Sequence, residues 1–202
     1  MLSSLKLTVR KQALVVGRFI GATGISPNAL TLLGLLLNFV AAFIVVEGHA
    51  FVGGIAFLIA SAFDMLDGAV ARAMGTTSRF GAFLDSVVDR YAEAAMFAAL
   101  LVASAAQPAL VFGCTLALVG SLLVSYARAR AEGLGVDCEV GWLQRPERVV
   151  ILAVGLIAVP FVPVLLTPII WFLAVMTNLT VVQRVLHVRR LLSDASESSE
   201  IR

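Results

Sequence analysis

Residues 28–47 form an almost unbroken apolar run, closed by Glu47-Gly48-His49. At ~1.5 Å of rise per residue, a helix of this length matches the ~30 Å hydrocarbon core of a bilayer. A backbone in lipid must satisfy its own N–H and C=O groups, so the segment has to be a helix. Ser26 stands where an N-cap belongs and Pro27 at the first helical position. Composition extends the constraint to the whole chain. Of 202 residues, 60% are hydrophobic and 14% charged, against about a quarter charged in soluble domains.

Further spans follow in order. The second helix runs from Phe51 to about Ala73 and the third from near Arg79 to near Ala106. A fourth covers 109–127, a fifth starts near Pro146 and breaks at Pro160 and Pro163, and Pro168 opens a sixth through Gln183 and Arg184. Residues 3–20 alternate Leu5, Val9, Leu14 and Phe19 with basic positions, the pattern of a helix lying on anionic headgroups. No cleavable signal peptide is evident there. The expected fold is therefore an all-α integral membrane protein, with six transmembrane helices preceded by an amphipathic juxtamembrane helix. A single membrane domain over 1–192 and a disordered Ser/Glu-rich tail over 193–202 complete the organisation.

The second and third helices each join a greasy half to a charged half, and the charged halves meet at the 74–80 loop. Asp64-x-x-Asp67-Gly68 is followed by Gly81-x-x-x-Asp85-x-x-x-Asp89. Spacings of three and four put each pair of carboxylates on one helix face. Only about thirteen apolar residues precede Asp64, roughly 20 Å of helix, so the aspartates lie below the membrane surface, where bare charge is costly. Oxygen-only ligands with no His or Cys nearby favour Mg²⁺, Mn²⁺ or Ca²⁺. Cys114 and Cys138 lie in dissimilar settings and suggest neither a disulfide nor a metal site.

Six spans put both termini on one side, and the 15 Lys and Arg residues fall on that side or in helix ends opening to it. The positive-inside rule makes this the cytoplasmic side of the cell membrane. The aspartates open there with Arg72, Arg79, Arg128, Arg130, Arg145, Arg148 and Arg184. Carboxylates that hold cations, and cations and arginines that hold phosphate oxygens, suit a phosphorylated lipid. One carboxylate could take the proton of an attacking hydroxyl. Gly68 and Gly81 leave room for a close approach. A basic pocket argues for an anionic acceptor over a neutral one.

The arrangement Asp64-x2-Asp67-Gly68-x2-Ala71-Arg72-x8-Gly81-x3-Asp85-x3-Asp89 resembles the signature of the CDP-alcohol phosphatidyltransferases at every motif position. The resemblance implies a homodimer of six-span subunits with two Mg²⁺ ions each, Mn²⁺ being an alternative, and displacement of CMP from a CDP-linked lipid by an alcohol. It implies that Asp64, Asp67, Asp85 and Asp89 hold the metals and that Asp89 is the general base. Asn28, Ala29, Leu30, Thr31, Gly68, Arg72 and Ser78 would contact the CDP moiety. A narrower similarity, to phosphatidylinositol phosphate synthases, rests on Phe63–Gly68, Ser125-Tyr126-x-Arg128-Ala129-Arg130-Ala131-Glu132, Arg145-Pro146-Glu147-Arg148 and Gln183-Arg184. It implies CDP-diacylglycerol and inositol 1-phosphate as substrates, with the acceptor's phosphate on Ser125, Arg128, Arg130, Arg148 and Arg184. Arg128 stands where a lysine is often found, a planar fork in place of a point donor.

Alternatives remain open at this level. Glycerol 3-phosphate could replace inositol 1-phosphate, and an ether-linked archaeal lipid could replace the diacyl donor. A cation transporter also uses intramembrane carboxylates, though it would spread them over several helices near midspan. The aspartates could instead be structural ion pairs with Arg72, Arg79 and Arg90, and the later arginines could reflect topology alone. Tyr126 and Trp142 read as interfacial aromatics. No nucleic-acid partner is expected; membrane lipids are.

Overall fold

Proline and glycine set the element boundaries. Pro27, Pro108 and Pro146 each lie in a first helical turn, where the missing N–H costs no hydrogen bond. Gly48, Gly75, Gly135 and Gly141 all have positive φ in the connections. The structure, a computed structural model, describes the backbone of residues 26–75 and 77–200, and their side chains apart from 64–70, 72–74 and 195–200. The juxtamembrane helix expected over 3–20 lies outside the described residues.

All regular structure among the described residues is helical. The order is α1 (Pro27–Val46), α2 (Ala50–Met74), α3 (Arg79–Ala103), α4 (Pro108–Glu132), α5 (Arg145–Ala158), a 3₁₀ turn (Pro163–Leu165) and α6 (Leu166–Glu200). Three helical stretches, Pro27–Val46, Pro108–Glu132 and Pro163–Asp194, are long and apolar enough to cross a bilayer. Two segments fall short of that length: the apolar part of α2, Ala50–Phe63, and α5, whose 14 residues reach about 21 Å. The helical backbone continues to Glu200, through the Ser/Glu-rich stretch expected to be disordered. No glycine or proline interrupts the chain between Ile169 and Glu200, so nothing in it forces the last helix to stop.

The chain divides into two compact units, one ending at Ala99 and the other beginning at Leu100, where length predicts one domain. In the first unit α1 packs along α2. Its buried residues, Leu30, Thr31, Gly34, Asn38, Ala41, Ala42 and Val45, recur every three or four positions. A Cβ on Gly53 would collide with Val45 Cγ2 and lie 3.2 Å from the Ala41 carbonyl. Bare glycine backbone is what lets the two helices approach. The opposite face of α1 exposes Leu36 and Phe43, at 58% and 63%, an exposure that suits lipid and not water.

In the second unit α4 crosses α6 on small and polar residues, as membrane helices do when apolar burial cannot drive their association. Gly113 lies against Ile170, and Gly120 against Thr177 and Asn178. Asn178 Nδ2 donates to the Leu116 carbonyl across the interface at 3.2 Å and to the Ala174 carbonyl at 2.8 Å. Helix α5 packs on α6 through Gly155, whose added Cβ would be 3.1 Å from Ile169 Cγ2.

Candidate active site

In the first unit, the helical backbone of α2 runs without a break through residues 64–74. The side chains of Asp64, Asp67, Gly68 and Arg72 lie outside the described residues. Asp85 and Asp89 lie one turn apart on α3, and both are half-buried. The Asp89 side chain is only 13% exposed, with Arg90 Nη1 3.9 Å from Oδ2. That distance is the outer edge of an ion pair, and the same guanidinium nitrogen donates to the Ser86 carbonyl at 2.6 Å. Asp89–Arg90 is therefore a poor match for a tight structural ion pair.

Asp85 and Asp89 bring carboxylate oxygens alone, the donor set of a hard divalent cation. Among the described residues no three His, Cys, Asp or Glu side chains converge, so a complete set would require Asp64 and Asp67. Glu93, one turn beyond Asp89, is buried at 3% and extends the acidic line on α3.

A second convergence joins residues fifty positions apart. Ser78 caps α3, its Oγ accepting from the Gly81 N–H at 2.9 Å. A Cβ on Gly81 would lie 3.0 Å from that oxygen and 3.3 Å from Asn28 Oδ1. The first turn of α1 and the start of α3 thus meet over a residue without a side chain. Ser26 caps α1, its Oγ accepting from the Ala29 N–H at 3.2 Å. Ala29 is exposed, Leu30 and Thr31 are buried, at 2% and 3%, and the Thr31 hydroxyl donates to the Pro27 carbonyl. Of the expected CDP contacts, Asn28 and Ser78 share one point and Leu30 and Thr31 turn inward.

In the second unit the arginines gather around the connection between α4 and α5, residues 133–144. Arg184 is 4% exposed and donates from Nε to the Val140 carbonyl at 2.9 Å and from Nη1 to the Val124 carbonyl. Arg148, 2% exposed, donates to the Leu143 carbonyl at 3.3 Å. Arg128 forks between Glu132 (2.7 Å) and Glu139 (3.0 Å), so a phosphate arriving there meets a guanidinium already held by two carboxylates. Ser125 is half-buried one turn before Arg128. Arg130 meets this group only beside Arg184. Two positions from Arg128, it faces a different side of α4 and lines an apolar groove of about 350 Å³ with Leu123, Tyr126, Leu134, Arg184 and Val188.

Sequence reasoning assigned no role to Glu132, Glu139, Gly141 or Thr180, which hold this arrangement together. The one available signal was Thr180 at four residues before Arg184, on the same face of the last helix. Tyr126 and Trp142 are exposed, at 64% and 69%, as interfacial aromatics would be.

Comparison with known proteins adds to this geometry. Residues 24–182 match the family model of the CDP-alcohol phosphatidyltransferases. The chain is 40% identical over 172 residues to the phosphatidylinositol phosphate synthase of Mycobacteroides abscessus, covering 82% of this chain and 78% of that one. It is 33% identical over 193 residues to the archaetidylinositol phosphate synthase of Pyrococcus horikoshii, covering 95% and 98%. The crystal structure of Mycobacterium tuberculosis phosphatidylinositol phosphate synthase with CDP-DAG bound superposes with a TM-score of 0.83 at 35% identity, over 87% of this chain and 92% of that one. The same enzyme in complex with manganese and citrate gives 0.82 at 34%, over 87% and 88%.

Proposed function

Since the chain belongs to the CDP-alcohol phosphatidyltransferase family, we propose that it transfers a phosphatidyl group from CDP-diacylglycerol to inositol 1-phosphate, releasing CMP. The observation that carries the acceptor is that relatives named for a diacyl and for an archaeal lipid product share inositol phosphate in their names, across 82% and 95% of this chain. Three arginines around one connection, Arg128, Arg148 and Arg184, are consistent with a phosphorylated acceptor. The Pyrococcus relative keeps an ether-linked donor as the second reading.

In this reading Asp64, Asp67, Asp85 and Asp89 hold two divalent cations per subunit, Mg²⁺ or Mn²⁺, and the manganese complex of the M. tuberculosis enzyme supports a metal of that class. When bound, the cations screen the pyrophosphate's charge and stabilise that developing on the departing CMP. Asn28, Ala29, Leu30, Thr31, Gly68, Arg72 and Ser78 bind the CDP moiety; Asn28 and Ser78 bring polar atoms together against the bare backbone of Gly81. Ser125, Arg128, Arg130, Arg148 and Arg184 orient the acceptor by its phosphate. Asp89 takes the proton of the acceptor hydroxyl. The hydroxyl oxygen then bonds to the lipid-side phosphorus, and the bond from that phosphorus to the CMP oxygen breaks.

The same proposal includes six spans with the juxtamembrane helix before them, one membrane domain over 1–192, both termini and the active site on the cytoplasmic face, and a homodimer. Its test is CMP release by purified protein in Mg²⁺ against inositol 1-phosphate, glycerol 3-phosphate and free inositol. Inositol 1-phosphate should give by far the highest kcat/KM. Equal or better use of glycerol 3-phosphate would reassign the acceptor.

A further inference from the structure

The connection between α4 and α5 has no regular structure of its own, yet it is fixed from three helices. On α6, Thr180, Gln183 and Arg184 occupy positions i, i+3 and i+4 of one face, and each bonds to its backbone. The Thr180 hydroxyl accepts from the Leu143 N–H at 3.3 Å, Gln183 Oε1 accepts from the Trp142 N–H at 3.2 Å, and Arg184 Nε donates to the Val140 carbonyl. From α5, Arg148 holds the Leu143 carbonyl. From α4, Arg128 holds Glu139. Leu143 is thus gripped through both its N–H, by Thr180, and its C=O, by Arg148.

Two further observations show that Thr180 is fitted to this task. Its hydroxyl proton goes to the Met176 carbonyl at 2.8 Å, which leaves an oxygen lone pair for the Leu143 N–H. The chain passes so close above it that a Cβ on Gly141 would lie 2.5 Å from Thr180 Cγ2, and Gly141 has φ +135°. Thr180 itself is fully buried, at 0% exposure.

We propose that Thr180, with Gln183, is a positioning residue for the acceptor-phosphate site: it docks residues 139–144 on α6 and so sets where Arg148 and the Glu139-held Arg128 present their guanidinium groups. The inference rests on the assignment of those arginines to the acceptor's phosphate. Thr180 touches no substrate in this scheme; it acts through the backbone of Leu143. A displaced connection would move the guanidinium groups relative to the phosphate, and small misplacements of a binding group are expensive.

The test pairs Thr180→Val, which keeps the shape and loses the hydroxyl, with Thr180→Ser, which keeps the hydroxyl. CMP release is measured while inositol 1-phosphate and CDP-diacylglycerol are varied in turn. Thr180→Val should raise the KM for inositol 1-phosphate about tenfold, as loss of one buried hydrogen bond would, and leave that for the CDP-lipid unchanged; Thr180→Ser should behave as the wild type. Cys138 lies on the same connection and is fully buried, with burial pushing its thiol pKa up. Its labelling by a maleimide, identified against Cys138→Ser, should be slow in the wild type and Thr180→Ser and faster in Thr180→Val. Gln183→Leu, at a half-buried position, should reproduce the KM effect if Thr180→Val does not fold. The positioning role is overturned if Thr180→Val and Gln183→Leu leave the acceptor KM unmoved while Arg148→Lys or Arg184→Lys raises it. It also falls if both KM values shift together or if Thr180→Ser matches Thr180→Val. If the arginine variants too leave the acceptor KM unmoved, the phosphate assignment itself has failed.

Discussion

Asp89→Asn should lower CMP release by about 10²-fold to 10⁴-fold, the usual contribution of a general base, while CDP-lipid binding stays measurable. The amide has the carboxylate's shape, so the turn of α3 that carries Asp85 and Asp89 should be kept. What it loses is the ability to take a proton and most of its strength as a ligand for a hard cation. Measuring the dissociation constant for the CDP-lipid beside single-turnover CMP release separates the two losses: the rate falls by orders of magnitude and the affinity by far less. An Asp89→Asn protein of wild-type rate would remove Asp89 from the chemistry. Equal loss of binding and rate would make it a ligand and no base.

The second large effect is expected at the buried arginines. Arg184→Lys keeps the charge, but an ammonium cannot reproduce the fork that joins Val140 and Val124. Arg148→Lys likewise weakens the hold on Leu143. Each variant loses one charge-assisted hydrogen bond, at about 1.5–3 kcal/mol, and should raise the KM for inositol 1-phosphate roughly 10-fold to 100-fold. The KM for CDP-diacylglycerol should stay within about twofold, since the CDP contacts proposed above belong to α1, α2 and α3. Matched increases in both would argue against an acceptor-phosphate pocket. Arg128→Lys should do less, because Glu132 and Glu139 already share that guanidinium at an exposed site.

Much of this was legible in the residues because a few of them have narrow physical uses. Pro27, Pro108 and Pro146 mark where helices begin, and four aspartates in an apolar stretch point to the proposed cation site. The protein-facing stripes were not legible by hydrophobicity, since both faces of α1 are apolar. They are marked instead by small and polar residues, Gly34, Asn38 and Ala41 on α1 and Gly113, Gly120 and Thr177 at the α4–α6 crossing. Composition does not announce the helical backbone through Ser193–Glu200, because it reports charge and polarity but not the absence of a helix breaker.

Within the site, residue type revealed the arginines but not their partners. Arg128 and Arg130 look alike in sequence. A 3.6-residue turn sends one to Glu132 and Glu139 and the other to the α4–α6 groove. The motif alone marks Ser78 as a nucleotide contact, and its role as the cap of α3 leaves its hydroxyl proton available as a donor. Thr180 carries no charge and lies in a span, so nothing in its type distinguishes it from an ordinary buried threonine; only the path of the chain over Gly141 does.

The central claim is that the four aspartates exist to hold divalent metal, and Mn²⁺ tests it most directly because its binding can be followed by electron paramagnetic resonance on the purified protein without any turnover. Saturable binding of two ions per subunit, displaced by Mg²⁺ and lost in Asp64→Asn, Asp67→Asn and Asp85→Asn, is the predicted result. No saturable binding to the wild type, or binding that the three amide variants retain in full, would contradict it.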